Sequence, residues 1–383
     1  MENNSHIRTV LQIIPHESYS GVETSAKEIA INLSKNGYKV VALSGSEDLK
    51  SYFNDFGIKH YCLNIHSTNP FIILKNAIII SKIIKSENID IVHARSRAPA
   101  WSCAIATRIT KRFFITTFHA IYNNSSIFKR YYNSIIGRGK KIIAISDFVK
   151  RYIIKNYNVD IDRIKVIHRG IDTDYFNQDN ISTEKKEQFK AKYHISDSIT
   201  IVLQADFSKW KGHVIMLKAL SMIKDLKFHC LFVGDLSKNA YYTEEVRKKI
   251  ISLKLQSKVK IFGSESDKRT LYSISDIIVS ASTEPEAFNK IMIEAQSMKK
   301  IVLATSIGSS CEIISDNITG FLTTANDPQA LSDKLKYIIE NINSPQIKAI
   351  QESSRNSVIQ NFGLPKMIKE TIELYEDILK REF

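Results

Sequence analysis

The chain is predicted to fold as α/β, in two Rossmann-like domains that each carry a doubly wound parallel sheet. Three observations carry that expectation. Short apolar runs rich in Ile and Val alternate with segments of helical periodicity. The rhythm restarts midway, at Ile199–Leu203. The length of 383 residues exceeds one ordinary core and suits two.

The elements follow in order. Arg8–Ile14 is nearly continuous in apolar character, as a parallel strand buried on both faces requires. It stops at Pro15, and a loop through Ser20-Gly21 leads into a helix from about Val22 to Asn36 with Ala26, Ile29, Ala30 and Leu33 as its stripe. Gly37 ends that helix, and Lys39–Leu43 is the next strand. Such a βαβ opening with a small-residue turn marks a doubly wound sheet, although the G-x-G-x-x-G dinucleotide spacing is absent. Strands at Ile58–Asn64 and Ile89–Ala94 flank a core-facing helix around Phe71–Ser86. The stretch from His93 to Ser102 then carries Arg95, Arg97 and Trp101 from a strand end, where such sheets bind ligands. Phe113–His119 brings His119 to the same edge, and Lys141–Ile145 runs to Ser146, the N-cap of a helix. Asn177–Lys192 reads as a charged linker.

In the second half, Ile199–Leu203 leads to the polar loop Asp206–His213, which carries Lys209, Lys211 and Gly212. Phe228–Val233, Lys258–Phe262 and Asp276–Ser280 are strands, the last followed by Glu284–Glu294. From Asn289 a helix is expected with Ile291, Met292 and Ala295 apolar and Lys290 and Gln296 outward. A loop entering a helix at the carboxyl edge of a sheet gathers orphan N–H groups, which favour an anion. The flanking carboxylates Glu286 and Glu294 suit hydroxyl groups, so the stretch asks for a ligand with phosphates and hydroxyls, such as a sugar nucleotide. Ile301–Ala304 is a further strand, and Pro328–Ile342, Pro345–Asn361 and Pro365–Arg381 read as helices.

The spacing Glu286-x-Phe288-x5-Glu294 resembles the E-x7-E signature of retaining glycosyltransferases of the GT-B fold, family four. Further stretches resemble the family in order from Gln12 to about Leu322: Gly21, Glu23, His93–Ser102, His119, Ser146, Arg169–Phe176, Lys211-Gly212 and Gly320–Leu322. The resemblance implies two domains facing across a cleft, 1–176 for the acceptor and 177–364 for the donor, with helix 365–383 packing back on the first. It implies that His119 and Glu286 act at the donor sugar and that Glu294 holds the ribose. Gly21, Lys211, Asp206, Lys209, Phe288, Asn289 and Lys290 would line the donor site, and Arg95 and Arg97 would face the acceptor. Ser264 and Glu265 fall where the family receives the base. The expected substrate is a nucleotide-diphospho-sugar, with no cofactor and no essential metal. Asp172-Thr-Asp174 and Asp160-Ile-Asp162 are read as structural.

The sequence departs from the family in ways that motivate a second reading, a weakened homologue that binds glycan or nucleotide without efficient turnover. Asp206 stands at the usual Arg position, where it would repel a diphosphate; Lys209 is a candidate replacement for the lost charge. Only 13 glycines occur, and Ser20, Ala120, Ala205, Asn289, Lys299 and Ser309 replace family loop glycines.

Composition bounds the remaining choices. Four scattered cysteines give no zinc or disulfide spacing and fit a reducing compartment. No basic stretch followed by an apolar run opens the chain, so a cytoplasmic protein is expected. Of the formal charge of +14, +11 lies between Arg108 and Arg169, interleaved with Phe128, Tyr131, Tyr132 and Ile135. That patch suits the anionic inner face of the cytoplasmic membrane, or an anionic glycan or lipid-linked acceptor, as well as it suits simple solubility. Nucleic acid is not expected as a partner, because no recognition motif accompanies the charge.

Overall fold

The structure is a computed structural model and describes residues 8–14, 21–122, 124–195 and 198–380. It divides into two compact units, Met1–Gly170 with Pro365–Phe383, and Ile171–Leu364. The division falls six residues before the expected boundary at 176, for a plain reason. Segment 171–176 is bonded to the second unit: Ile171 N–H donates to Phe362 O at 3.0 Å, and Arg355 donates to Phe176 O at 3.2 Å.

The first unit is a seven-stranded sheet of β1 (Thr9–Ile13), β2 (Lys39–Ser44), β3 (Lys59–Cys62), β4 (Ile91–Ala94), β5 (Phe113–Phe118), β6 (Lys141–Ala144) and β7 (Ile164–Val166). The spatial order is β3-β2-β1-β4-β5-β6-β7 with parallel pairing throughout. The order reverses between β1 and β4, where Gln12 lies opposite His93. Helices cover the sheet, and β1 and β4 are wholly buried, as their apolar sequences require. The last helix, Leu364–Lys380, belongs to this unit and buries Met367, Ile368, Leu374 and Tyr375.

The second unit repeats the plan with β8 (Ile199–Gln204), β9 (Phe228–Val233), β10 (Val259–Phe262), β11 (Ile277–Ser280), β12 (Ile301–Thr305) and β13 (Phe321–Thr323). Its order is β10-β9-β8-β11-β12-β13, again parallel, reversing between β8 and β11. Crevices outside the carboxyl ends of strands at such reversals are where doubly wound sheets bind ligands.

Four local expectations change. The charged stretch taken as a linker contains a helix, Thr183–Tyr193, capped by Ser182 and tied to the 265–267 loop by Lys192–Glu265 and Lys185–Asp267 ion pairs of 2.6 Å each. Charge pairing, not an apolar stripe, holds it, so hydrophobic periodicity gave no sign of it. The helix Pro70–Ser86 buries only one side and exposes Phe71, Leu74 and Ile78. Gln296 points inward, fully buried, and its side-chain amide donates to Thr319 O at 2.7 Å. Asn289 lies just before the helix Lys290–Ser297 as its N-cap.

The shortage of glycine has a conformational answer. Among the described residues, eight that are not glycine adopt positive φ, including Lys111, Asn158, His194, Lys254 and Lys299 at or just past helix ends. Of the replaced loop glycines, Asn289 and Ser309 have ordinary negative φ and only Lys299 is left-handed, while Ser20 lies outside the described residues. Glycine is kept where nothing else fits. A Cβ on Gly212 would lie 1.8 Å from Ala281 O, and one on Gly308 would lie 2.5 Å from Glu286 O.

Candidate functional site

In the second unit, β11 ends at Ser280 and a loop carries the chain to Asn289, whose Oδ1 accepts from Ile291 N–H at 3.1 Å and so starts the helix Lys290–Ser297. Glu286 sits in that loop with both carboxylate oxygens engaged. Oε2 pairs with Lys211 Nζ at 2.7 Å, while Oε1 accepts from Ser282 Oγ and from Asn289 Nδ2 at 3.2 Å. Lys211 and Glu286 are 15% and 13% exposed, so the pair is largely withdrawn from solvent. Lys211 also lies over the Trp210 ring, 4.0 Å from its centroid. Phe288 is buried with its ring 5.9 Å from that of Phe362, and Lys290 is half-buried.

Glu294 lies one turn into the helix and is 4% exposed. Its Oε2 is 3.0 Å from the Tyr272 hydroxyl and 3.7 Å from Lys268 Nζ. Tyr272 also reaches Gln204 Oε1, at the end of β8, at 2.5 Å. Burial first, and then the Glu294 charge, push the Tyr272 phenol well above its ordinary range, so it stays a donor. Glu265 is committed to the 183–193 helix: its Oε2 accepts from Lys192 at 2.6 Å and Tyr193 at 2.7 Å. Burial pushes its carboxyl up, but these hydrogen bonds and the Asp267 N–H outweigh that and hold it below the usual range.

Two residues expected at the donor site point elsewhere. Asp206 is ion-paired with Lys238. Lys209 is 78% exposed and lies 3.9 Å from Glu245, so it does not replace the charge lost at 206. Asp172 and Asp160 accept from backbone N–H groups two residues on, which makes both Asp-x-Asp stretches local turns.

In the first unit, the carboxyl edge at the β1/β4 reversal gathers Gln12, His93, Arg95 and His119. Arg95, expected to face the acceptor, is 1% exposed. It donates to Gln12 Oε1 at 2.6 Å and lies 3.1 Å from His93 Nδ1. Tyr375 completes the set, accepting from Gln12 Nε2 at 2.9 Å with its hydroxyl 2.6 Å from His93 Nδ1. The Arg95 and Tyr375 donors fix Nδ1 as an acceptor, so His93 Nε2 carries the proton toward Thr117 Oγ1, 2.7 Å away. Burial, then Arg95 and His119, hold His93 well below its ordinary pKa, and His119 is held down by burial, Arg169 and Arg95. Neither ring nitrogen of His119 has a hydrogen-bond partner among the described residues. Arg169 donates to Gly21 O at the start of the helix Gly21–Lys35. Arg97 is turned away, donating to Asn133 Oδ1 at 2.8 Å and stacking 4.3 Å over Tyr122.

Sequence reasoning passed over Gln12, Tyr272, Ser282 and Tyr375. A lone Gln in an apolar strand was a usable signal for the first. Nothing local marks Tyr375, which is 363 positions from Gln12.

The two doubly wound sheets, ordered alike and each carrying polar groups at its carboxyl edge, define the GT-B class of Rossmann-like proteins. Residues 19–175 match Glycosyltransferase Family 4 and residues 184–356 match Glycosyl transferases group 1. A crystal structure of a glycosyltransferase from Rickettsia africae is 45% identical, covers 98% of this chain and 99% of its own, and superposes with a TM-score of 0.91. The chain belongs to the GT-B glycosyltransferases. Anabaena HepE, solved in complex with UDP, shares the fold at 19% identity and a TM-score of 0.83, over 97% of this chain and 100% of that one. The GPI3 subunit of phosphatidylinositol N-acetylglucosaminyltransferase of Saccharomyces cerevisiae is 23% identical over 94% of this chain and 80% of its own length.

Proposed function

We propose that this glycosyltransferase is a retaining enzyme that moves a sugar from a nucleotide-diphospho-sugar to a glycan or lipid-linked saccharide, in lipopolysaccharide or cell-envelope polysaccharide synthesis. The observation that carries the reading is the Lys211–Glu286 pair, braced by Ser282 and Asn289 beside a helix N-terminus. Lys211 and the N–H groups near residues 288–290 would neutralise the diphosphate as charge builds on it. Glu294, held by Tyr272, would bind the ribose, and Glu286 would position the sugar. The bond from the anomeric carbon to the β-phosphate oxygen breaks, and a bond to the acceptor oxygen forms on the same face. The acceptor proton passes to the departing phosphate. The complexes of HepE with UDP and with UDP-glucose support UDP as the first nucleotide to try.

A lipid-borne acceptor fits the basic 108–169 region, where Ile127, Phe128 and Tyr131 are exposed among Lys129, Arg130 and Arg138. GPI3, named for a phosphatidylinositol acceptor, is a relative of the same kind. Among the described residues no helix is long and apolar enough to cross a membrane, so contact with anionic lipid would be peripheral. The second reading, a homologue that binds without efficient turnover, is favoured by Asp206, a carboxylate paired with Lys238 where the family has an arginine.

The test is calorimetric titration of UDP, GDP and ADP, and of their sugar conjugates, into the wild type and Lys211→Ala. One diphosphate bound by the wild type and lost in the variant supports the donor site and names the base. No binding at millimolar concentration turns the reading to the homologue without turnover.

A further inference from the structure

We infer that the carboxyl edge of the first sheet holds a site for one anionic oxygen group, carboxylate in size, on the acceptor. The word acceptor rests on the function proposed above; the anion does not. Arg95 is a guanidinium with 1% of its surface exposed, and its side-chain hydrogen bonds are made to neutral groups, the Gln12 amide and the His93 imidazole. It forms no ion pair among the described residues, and the ionisable group acting on it is the neutral phenol of Tyr375. Burial lowers its pKa only to about 10, so it carries its charge at neutral pH. A buried cation is costly to leave without a counter-charge.

The unused bonding capacity converges. Among the described residues, Arg95 Nε and both ring nitrogens of His119 lack hydrogen-bond partners. All of them belong to the walls of one cavity, which Arg169, Ser25 and Thr117 also line and to which no carboxylate among the described residues contributes. The cavity measures about 20 Å³, room for one water-sized group, so it accommodates a carboxylate oxygen and not a whole phosphate. His119 is neutral at physiological pH and so offers one N–H donor and one acceptor beside two guanidiniums. An acidic sugar entering carboxylate first would supply the missing counter-charge and satisfy Arg95 Nε and His119 together.

The experiment titrates the full-length protein with glucuronate, glucose 1-phosphate and neutral glucose, by calorimetry and by the ring-nitrogen resonances of ¹⁵N-histidine-labelled protein. UDP is titrated in parallel. Glucuronate is expected to bind and shift the His119 nitrogens, with glucose silent. Arg95→Met should weaken glucuronate about tenfold to a hundredfold while leaving UDP unchanged. A response to glucose 1-phosphate instead of glucuronate would overturn the inference, since the cavity has no room for a whole phosphate. Equal responses to glucose and glucuronate, or none to either anion, would overturn the inference. If Arg95→Met does not fold, His119→Gln and the wild-type resonances still decide the matter. Failure to bind UDP speaks against the donor reading alone, because these anion arms do not use it.

Discussion

Lys211 and Glu286 stand 2.7 Å apart, so a diphosphate bound at Lys211, as proposed, would compete with a carboxylate for its cation. Lys211→Met and Glu286→Gln should therefore affect nucleotide binding in different ways. An exposed pair is worth about 0–1 kcal/mol, and stripping one partner from a fully buried pair costs about 3–5 kcal/mol. Glu286 keeps Ser282 and Asn289 when Lys211 is gone, so the loss should lie between these limits, about 2 kcal/mol. For a unit of this size that corresponds to a melting midpoint roughly 4–8 °C lower. Lys211→Met should also weaken UDP by at least about tenfold, the effect of one charge-assisted hydrogen bond. Glu286→Gln should leave UDP affinity unchanged or tighten it, because the competing charge has gone, while turnover falls. Differential scanning calorimetry and UDP titration on both single variants and the double variant make the cycle. A Glu286→Gln protein that loses UDP as severely as Lys211→Met would refute the competition argument.

Gly308→Ala places a methyl 2.5 Å from Glu286 O at φ +61°, and should cost about 2–4 kcal/mol in thermal or urea unfolding. Lys254 is left-handed at φ +57° with its side chain exposed; Lys254→Gly should stabilise by about 0.5–1 kcal/mol, and Lys254→Ala should not. Hydrogen bonds from Lys59 and then Tyr61 hold Glu87 down at about 2. A depressed carboxyl stabilises above its unfolded value, about 4.3, and that contribution is lost as pH falls from about 5 toward 2. The stability of wild type and Glu87→Gln should accordingly differ at neutral pH and converge in acid, as urea unfolding across that range would show.

The fold was legible because burial of a parallel sheet leaves a direct mark on composition: runs such as Ile277–Val279 and Ile301–Ala304 have no polar face to hide. The helix Lys290–Ser297 and its Asn cap could be read for a similar reason, since capping is chemistry between neighbours. Thr183–Tyr193 could not, because its apolar pattern is weak and its anchors, Glu265 and Asp267, lie far along the chain. The burial of Arg95 was not legible from its place at a strand end. In the structure it is buried by two neutral side chains, Gln12 and His93, that no spacing rule connects to it. The left-handed lysines were equally hidden, since lysine carries no sign of the backbone it adopts.

The first unit is discontinuous, and that fixes the order in which it is completed during synthesis. When the ribosome has released the first 170 residues, all seven strands of the sheet exist, yet Gln12 and His93 still lack the phenol that bridges them. That phenol emerges only after the entire second unit has been made, and the loop it closes is long, though loop length itself adds little entropy. A chain interrupted anywhere before Tyr375 would carry a first domain with unsatisfied polar groups at its centre, soft to proteases and poor at ordering Arg95. Full-length translation thus becomes a condition for a finished cationic edge.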